Sequence, residues 1–253
     1  MSETLKERVR KHWQAEPCGR RTAAAAPGSK AFYDEVEAAR YRAEPFIVGF
    51  AEFEHWRGKR VLEVGVGLGT DFVNFARAGA ELTGVDLTEA AVAAVRRRLE
   101  LEQLEAHLEV ADAEDLPFAD GRFDLVYSWG VLHHTPDTAR SLSEVRRVLR
   151  PGGEARIMLY SRRSWVALGV WLRYGVGRGR PWRSFASLLA EHMESPGTKA
   201  YTRGELDELL AGFDSVELER FVTPYDRRVA GPLAGIAGRR LGWFVGIRAR
   251  KGH

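Results

Sequence analysis

The chain has 253 residues, of which 45% are hydrophobic and 29% charged, with a formal net charge of +3. These are ordinary values for a globular protein of one elaborated domain or two small ones, and the mild basic excess gives little support for a nucleic-acid partner. The single cysteine, Cys18, excludes a disulfide framework or a cysteine-rich metal site within one chain. The charged N-terminal residues lack the apolar segment of a secretory signal, and no apolar run approaches the roughly 18 residues that span a bilayer, so we expect a cytoplasmic protein.

The middle of the chain alternates apolar β-branched runs with segments of helical periodicity. In residues 88–102, Val92, Val95 and Leu99 lie on one helical face, and Thr88 is suited to cap the helix. Such alternation predicts an α/β, doubly wound, Rossmann-like fold with a mostly parallel seven-stranded sheet and helices on both faces. In chain order we predict strand 60–64, helix 70–78, strand 81–85, helix 88–102, strand 107–110, strand 123–128, helix 137–149, strand 154–160, helix 202–211, strand 215–222 and strand 242–250.

Four regions follow from this pattern. Residues 1–57 are charged and helical in tendency, and we call them the N-terminal cover; residues 58–160 form the core. Residues 161–200, the insert, interrupt the sheet pattern with an Arg-, Gly- and Trp-rich stretch. Residues 201–253 complete the sheet, and the Gly-rich segment 230–242 predicts a mobile loop.

The first predicted strand runs into V-G-V-G-L-G-T, with Gly65, Gly67 and Gly69 at every second position. Alternating glycines weaken a strand but let the backbone turn at positive φ and approach a ligand. Ligands in such sheets bind beyond the carboxyl ends of the strands. The spacing G-x-G-x-G differs from the dinucleotide fingerprint G-x-G-x-x-G/A, because Thr70 stands at its last position.

With Glu63 in front of it, this stretch resembles motif I of the class I S-adenosylmethionine (SAM)-dependent methyltransferases, in the type 11 group that includes ubiquinone/menaquinone C-methyltransferases. Further matches follow in order: Asp86 in G-V-D-L-T, 17 residues after Gly69, and Asp112 in V-A-D-A-E-D. The stretch F-D-L-V-Y-S-W-G-V-L-H-H-T-P-D matches the fourth strand and its loop, and L-R-P-G-G matches the turn before the fifth strand. The resemblance is strong over residues 58–160 and weak over the C-terminal strands.

The resemblance implies SAM as cofactor, S-adenosylhomocysteine (SAH) as product, no metal, and in-line methyl transfer. It implies that Glu63 contacts the amino end of the cofactor and that Asp112 pairs with the adenine amino group. A carboxylate at Asp86 can accept hydrogen bonds from both ribose hydroxyls, as in dinucleotide sites. Asp71, in the first helical turn, is also suited to a simple capping role. The predicted cofactor-binding residues are Glu63, Gly65, Gly67, Gly69, Thr70, Asp71, Asp86, Leu87, Asp112, Ala113 and Ser128.

Two groups of residues are candidates for the acceptor side. His133 and His134 follow the fourth strand, and because a histidine pKa lies near neutrality we predict a catalytic, proton-accepting role; the alternative is packed loop histidines. Tyr33, Tyr41 and Arg42 are predicted to face the substrate, since the resemblance implies that the N-terminal segment folds over the cofactor. The alternative is an amphipathic helix packed on the sheet edge.

Three interpretations compete for the insert. We favour a lid over a small-molecule acceptor; a solvated excursion comes second, and contact of residues 161–183 with a membrane surface comes last. The loop S-W-G-V lacks the N/D-P-P-Y/F signature of enzymes that methylate nucleic-acid amino groups, so no nucleic-acid partner is expected. Two other functions stay open: a nucleotide-cofactor oxidoreductase of the NAD type, which the failed glycine fingerprint disfavours, and a non-catalytic SAM-binding protein.

Overall fold

The computed structural model describes residues 3–15, 17, 19–193 and 195–252, without the side chains of residues 236, 238 and 239. Cys18 therefore lies outside the described residues. The described chain builds one seven-stranded sheet in the order β3-β2-β1-β4-β5-β7-β6. The strands are β1 (Arg60–Val64), β2 (Glu81–Asp86), β3 (His107–Val110), β4 (Phe123–Trp129), β5 (Leu149–Tyr160), β6 (Ser215–Phe221) and β7 (Phe244–Arg250).

Strands β1 to β5 pair in parallel, and β7 pairs antiparallel with both β5 and β6. The chain moves outward from β1 in both directions, so a crevice opens at the carboxyl ends of β1 and β4, where ligands bind in sheets of this kind. The predicted α/β, mostly parallel seven-stranded fold is confirmed.

Helices cover both faces of the sheet and fill the regions outside the core. They are α1 (Leu5–Ala15), α2 (Lys30–Ala43), α3 (Phe46–Ala51), α4 (Thr70–Arg77), α5 (Glu89–Glu102), α6 (Thr138–Val148), α7 (Trp165–Tyr174), α8 (Phe185–His192), α9 (Arg203–Leu209), α10 (Pro224–Ala230), α11 (Leu233–Ile236) and α12 (Gly238–Leu241). Thr88 caps α5 as predicted, because its side chain accepts a hydrogen bond from the Ala91 amide.

Two predictions about local structure are wrong. Segment 230–242 is not a loop but contains the end of α10, then α11 and α12. Glycine does end α10, since Gly231 has a φ of 55°, but the later glycines do not prevent two four-residue helices from forming after it. Strand β5 begins at Leu149 rather than at residue 154, because Gly152 and Gly153 pair with the Lys251 backbone and keep this irregular stretch in the sheet.

Buried apolar side chains pack on both faces of the sheet, with Phe72 and Tyr127 among those on one face and Leu62 and Leu142 among those on the other. A third, smaller cluster lies under the N-terminal cover and joins Phe32 to Leu68 of the glycine loop. The cover is thus packed directly against the loop that precedes α4.

A partly buried ion-pair network also holds the cover against the core. Arg98 of α5 is fully buried and pairs with Glu37 of α2 and with Glu102. Arg77 of α4 pairs with the same two glutamates. Because an unpaired buried guanidinium is very costly, these contacts fix α2 against α4 and α5.

Candidate active site at the carboxyl ends of β1, β2 and β4

The three glycines after β1 all have positive φ, at 84° for Gly65, 52° for Gly67 and 73° for Gly69. A Cβ atom on Gly65 would lie 2.2 Å from Val131 Cγ2, and one on Gly69 would lie 3.0 Å from Val95 Cγ2. A Cβ on Gly67 would meet no atom within 4 Å. Close packing by the protein's own side chains therefore accounts for the two outer glycines, and the middle one faces open space that a ligand can enter.

Glu63, near the end of β1, is a buried carboxylic acid with an incomplete set of partners. Its side chain is 4% exposed, and within the described residues its Oε2 has no hydrogen-bond partner. Burial, and secondly the negative charge of Asp71, raises the pKa of Glu63 well above its ordinary value. A buried oxygen without a partner costs free energy that a cationic donor entering from the crevice would recover.

Asp71, in the first turn of α4, is a junction between the core and the N-terminal cover. Its carboxylate accepts hydrogen bonds from Tyr127 Oη at 3.0 Å and from Tyr41 Oη at 3.0 Å, and it pairs with Arg40 Nη2 at 3.1 Å. Burial, and then the charge of Asp71, raises the pKa of Tyr127 well above its ordinary value, so this phenol stays a donor. The protein itself thus supplies donors to both Asp71 oxygens.

Asp86 ends β2 and shapes the glycine loop. One carboxylate oxygen accepts from the Thr88 amide at 2.9 Å and the Thr88 hydroxyl at 2.8 Å, and the other accepts from the Gly67 amide at 3.2 Å. Burial raises the pKa of Asp86 although these hydrogen bonds act in the opposite direction. A carboxylate has about four acceptor positions, so with three of them used Asp86 can still accept from a ribose hydroxyl at the oxygen that faces Gly67; Leu87 beside it is partly exposed.

Helix α1 of the cover lies against the loop after β3. Lys6 Nζ is 2.5 Å from Asp112 Oδ2 and 2.7 Å from Glu114 Oε2. Ala113 between the two acids is buried. Further along α1, the Trp13 ring meets the edge of the His134 ring at a centroid distance of 5.3 Å. One helix therefore spans from the predicted adenine end of the site to the predicted acceptor end.

The two histidines form a buried turn after β4. His133 is fully buried, and its ring lies 3.8 Å from the Tyr160 ring, centroid to centroid. His134 Nδ1 lies 2.7 Å from Ser195 Oγ and 3.1 Å from Thr198 Oγ1, both in the insert.

Burial lowers the pKa of both rings. The pKa of His133 falls well below its ordinary value, and the pKa of His134 falls to about 3, with smaller contributions from nearby positive groups. The expectation of a pKa near neutrality is therefore wrong in this environment: both imidazoles are neutral at pH 7. Ser128, on the same strand end, donates a hydrogen bond to the Val64 carbonyl at 2.9 Å and ties β4 to β1.

The three predicted substrate residues occupy different environments. Tyr33 is buried, and its hydroxyl donates to the Ala94 carbonyl at 2.7 Å, so it anchors the cover to α5. Tyr41 reaches the site through Asp71. Arg42 is exposed, and Arg40 is the arginine that reaches the site. The spacing of Tyr33, buried Val36 and Arg40 on one helical face could have identified Arg40.

The sequence also gave no signal for Lys6, Tyr127, Ser195 or Thr198. Each becomes relevant only through a contact across more than 50 residues of chain, to Asp112, Asp71 or His134. Within the described residues, no group of three or more His, Cys, Asp or Glu side chains is placed to hold a metal ion, and no helix is long and apolar enough to cross a bilayer.

Comparisons with known proteins show which proteins this chain resembles. Residues 62–157 match the family model described as "Methyltransferase domain". An uncharacterized protein of Mycobacterium tuberculosis is 31% identical over 170 residues, 66% of this chain and 60% of that protein. The ubiquinone biosynthesis O-methyltransferase of Coxiella burnetii is 34% identical over 98 residues, 39% of this chain and 42% of that protein.

The fold agrees with these matches. The crystal structure of a SAM-dependent methyltransferase from Mesorhizobium loti aligns with a TM-score of 0.61 at 22% identity, covering 81% of this chain and 97% of that one. The core of this chain, residues 62–157, is thus similar to methyltransferase domains, and the chain has the fold of SAM-dependent methyltransferases. The chain spans less than two thirds of the length of either relative above, so what they do in full is not carried over to it.

The residues of the methyltransferase domain fit a cofactor of the SAM class. An amino group at the end of β1 would give Glu63 Oε2 the partner that it lacks. The open space at Gly67 lies beside Asp86, because the Gly67 amide donates to Asp86, and Glu63 lies on β1, the strand next to the one that Asp86 ends. A ligand with an ammonium group at one end and a ribose at the other matches this order of groups.

Proposed function

We propose that this protein transfers a methyl group from SAM to a small-molecule acceptor by in-line displacement. The observation that carries the proposal is Glu63, a buried carboxyl whose Oε2 has no partner among the described residues and which is followed by an open glycine backbone at Gly67. An NAD-type cofactor would instead bring a pyrophosphate to the glycine loop, where its negative charge would lie near the buried acid Glu63.

We propose that the residues at the ends of β1, β2 and β3 bind different parts of the cofactor. Glu63 binds the cofactor's amino group, Asp86 its ribose hydroxyls and Asp112 its adenine amino group, with Leu87 packed on the ring. Asp71 holds α4 and the cover in place rather than giving its oxygens to the ligand. The backbone and side chains around these contacts complete the proposed cofactor site at Gly65, Gly67, Gly69, Thr70, Ala113 and Ser128.

When bound, SAM supplies a methyl group that its sulfonium has already activated. The protein's part is then to align the acceptor and exclude water, which can contribute several kcal/mol through positioning alone. Helix α1 and the insert meet at His134 through Trp13, Ser195 and Thr198, and so close the acceptor side from two directions. We propose that His133 and His134 orient the acceptor as neutral imidazoles, because burial leaves them weak bases.

The low basicity of the two histidines indicates which chemical class of acceptor the site can use. Because the histidines are weak bases, the proposal favours a nucleophile that loses its proton easily or has none to lose, such as an activated phenol, a thiol or an activated carbon. One relative is a ubiquinone biosynthesis O-methyltransferase, and for this reason hydroxyl acceptors such as activated phenols are the first candidates to test on this chain.

The first experiment is a thermal shift with SAH, with NAD and NADP as controls. Ligand at about 100 times its dissociation constant adds about 2.7 kcal/mol, which corresponds to a rise in Tm of about 5–10 °C for a chain of this size. A shift with SAH alone supports the proposal; a shift with NAD or NADP alone refutes it. Transfer of the labelled methyl group of SAM to any phenol, thiol or carbon acceptor in a panel then separates an enzyme from a non-catalytic SAM-binding protein.

A further inference from the structure

The charge of this protein is distributed very unevenly. Residues 161–193 and 223–243 together contain ten arginines and only two acids, a formal charge of +8. Since the whole chain carries +3, the remaining residues carry −5. We call these two segments the basic apolar surface, because they also carry most of the exposed apolar side chains.

The two segments pack into one continuous region. Helix α7 packs against α8 and α10, and α10 packs against α11. The contact of α7 with α10 is close: a Cβ atom on Gly169 would lie 2.8 Å from Val229 Cγ2. The loop after α7 is held back on the helix because Trp171 Nε1 donates to the Pro181 carbonyl at 3.1 Å and its ring stacks on Phe185.

Exposed apolar side chains are concentrated on this region. Eight large hydrophobic side chains are exposed in the described part of the chain, and six of them belong to the basic apolar surface: Leu172, Val176, Trp182, Tyr225, Val229 and Leu233. Trp182 is 78% exposed and Leu233 is 57% exposed. A cluster of this kind on a protein surface marks an interaction site, whereas single exposed apolar residues need no explanation.

The acids of the surface do not neutralise it. Asp226 is fully buried and accepts hydrogen bonds from Thr223 and from the Trp243 amide, and Glu191 pairs with Arg183. Most of the other arginines have no carboxylate at ion-pair distance within the described residues, as is the case for Arg173, Arg178, Arg180, Arg227 and Arg228.

Aromatic rings accompany these cations. Arg178 and Arg173 lie 5.0 Å and 5.4 Å from the Tyr174 ring centroid, and Arg228 lies 5.7 Å from that of Tyr225. Arginine together with exposed tryptophan, tyrosine and leucine is the composition of segments that lie in the interface of a bilayer.

We propose that the basic apolar surface docks this protein on an anionic lipid bilayer, with the arginines on the phosphates and the apolar side chains in the headgroup region. The proposal does not depend on methyl transfer. A nucleic-acid partner would use the cations but gives no role to exposed Leu233 and Val229, so the observations favour a bilayer. The insert also supplies Ser195 to the surroundings of His134, so the docked face and the candidate acceptor side share one segment.

The test is sedimentation of the full chain with vesicles of phosphatidylglycerol and phosphatidylcholine, against vesicles of phosphatidylcholine alone. We expect binding to the anionic vesicles that weakens with salt. Near an anionic surface each arginine contributes about 1 kcal/mol, so Arg178→Gln/Arg180→Gln should weaken binding about 25-fold. The matched control Arg57→Gln/Arg97→Gln removes two exposed arginines elsewhere and should leave binding unchanged.

A second pair of variants tests the apolar half of the proposal. Trp182→Ser/Leu233→Ser should reduce vesicle binding, and Val48→Ser/Val110→Ser, which changes two exposed valines outside the surface, should not. Unchanged Tm and SAH affinity in all variants would show that the fold and the cofactor site are intact. Equal binding to neutral and anionic vesicles would overturn the proposal, and so would an equal loss of binding in a control pair. The proposal also fails if an RNA or DNA oligonucleotide displaces the vesicles and binds the apolar variants as well as the natural protein.

Discussion

Replacement of Glu63 by glutamine keeps the size of the side chain and removes its charge. If Glu63 holds the amino group of the cofactor, the variant exchanges an ion-paired hydrogen bond for one from the ammonium to an uncharged amide oxygen. Hydrogen bonds to charged groups contribute about 1.5–3 kcal/mol, so we expect SAH to bind about 10- to 150-fold more weakly. The free protein should tolerate the change, because an amide no longer faces the cost of a buried negative charge.

The pH dependence gives this prediction a second, independent readout. Burial and Asp71 raise the pKa of Glu63 above its ordinary 4.5, with Arg40 opposing and Asp86 adding to the rise. An ammonium ligand needs the ionised carboxylate, so binding releases a proton, and SAH affinity should increase as the pH rises toward the raised pKa. Glu63→Gln should remove this increase and leave only the weaker dependence from Asp86, whose pKa is also raised.

The stability of the free protein should change in the opposite direction. A carboxyl with a raised pKa binds its proton more tightly in the folded state than in the unfolded state. Its contribution to the free energy of unfolding is therefore complete below pH 4.5 and is lost as the pH rises through the raised pKa. The free energy of unfolding of Glu63→Gln should therefore change less with pH over this window than that of the natural protein.

Isothermal titration with SAH and urea unfolding, both from pH 5 to 8, measure the two effects. Glu154→Gln is the matched control, since Glu154 is also a buried glutamate but is already paired with Arg156 Nε at 2.6 Å. It should lower stability and leave SAH affinity unchanged. The reasoning fails if Glu63→Gln binds SAH within about twofold of the natural protein, or if its affinity keeps the same slope with pH.

Three further predictions concern the cover and the acceptor side. Arg40→Met leaves Asp71 without its cation and should lower the free energy of unfolding by about 1–3 kcal/mol, whereas exposed Arg42→Met should stay within about 0.5 kcal/mol; equal effects in urea unfolding would contradict this. Lys6→Met removes a half-exposed ion pair and should speed SAH dissociation up to about fivefold in stopped flow; an unchanged rate would show that α1 does not retain the ligand. NMR titration should find the His134 imidazole neutral at pH 5, since its pKa is lowered to about 3, and a midpoint near 6.5 would refute the burial argument.

The sequence predicted those parts of the fold that local signals determine. The β1 strand, the Thr88 cap of α5 and the seven strands follow from periodicity, capping chemistry and glycine, all of which act between neighbours in the chain. The glycine stretch also lies between β1 and α4, as its pattern predicts. What the sequence could not reveal is that Val131 and Val95 crowd the outer two glycines, because those residues come from distant segments.

What the sequence leaves open at the site has the same physical origin. Helical spacing places Arg40, and not Arg42, on the face of Tyr33 and Val36, but only the packing of α2 against α4 brings that face to Asp71. The histidines were placed correctly on the loop after β4, but their basicity depends on how deeply the insert and α1 bury them. A pKa near neutrality is a property of an exposed ring, and sequence alone does not give exposure.

Asp71 connects these observations into one argument about how the site is organised. It sits at the start of α4, directly after the glycine loop, and receives donors from β4 and from α2 of the cover. Its negative charge also raises the pKa of Glu63. A change in the contacts between the cover and Asp71 should therefore change the pKa of Glu63 as well. If the cover moved away, Arg40 and Tyr41 would leave Asp71, and its uncompensated charge would make a second buried carboxylate at Glu63 still more costly. Arg40 of the cover, which also lowers the pKa of Glu63, therefore acts against burial and Asp71 and supports the ionised Glu63 that an ammonium ligand needs.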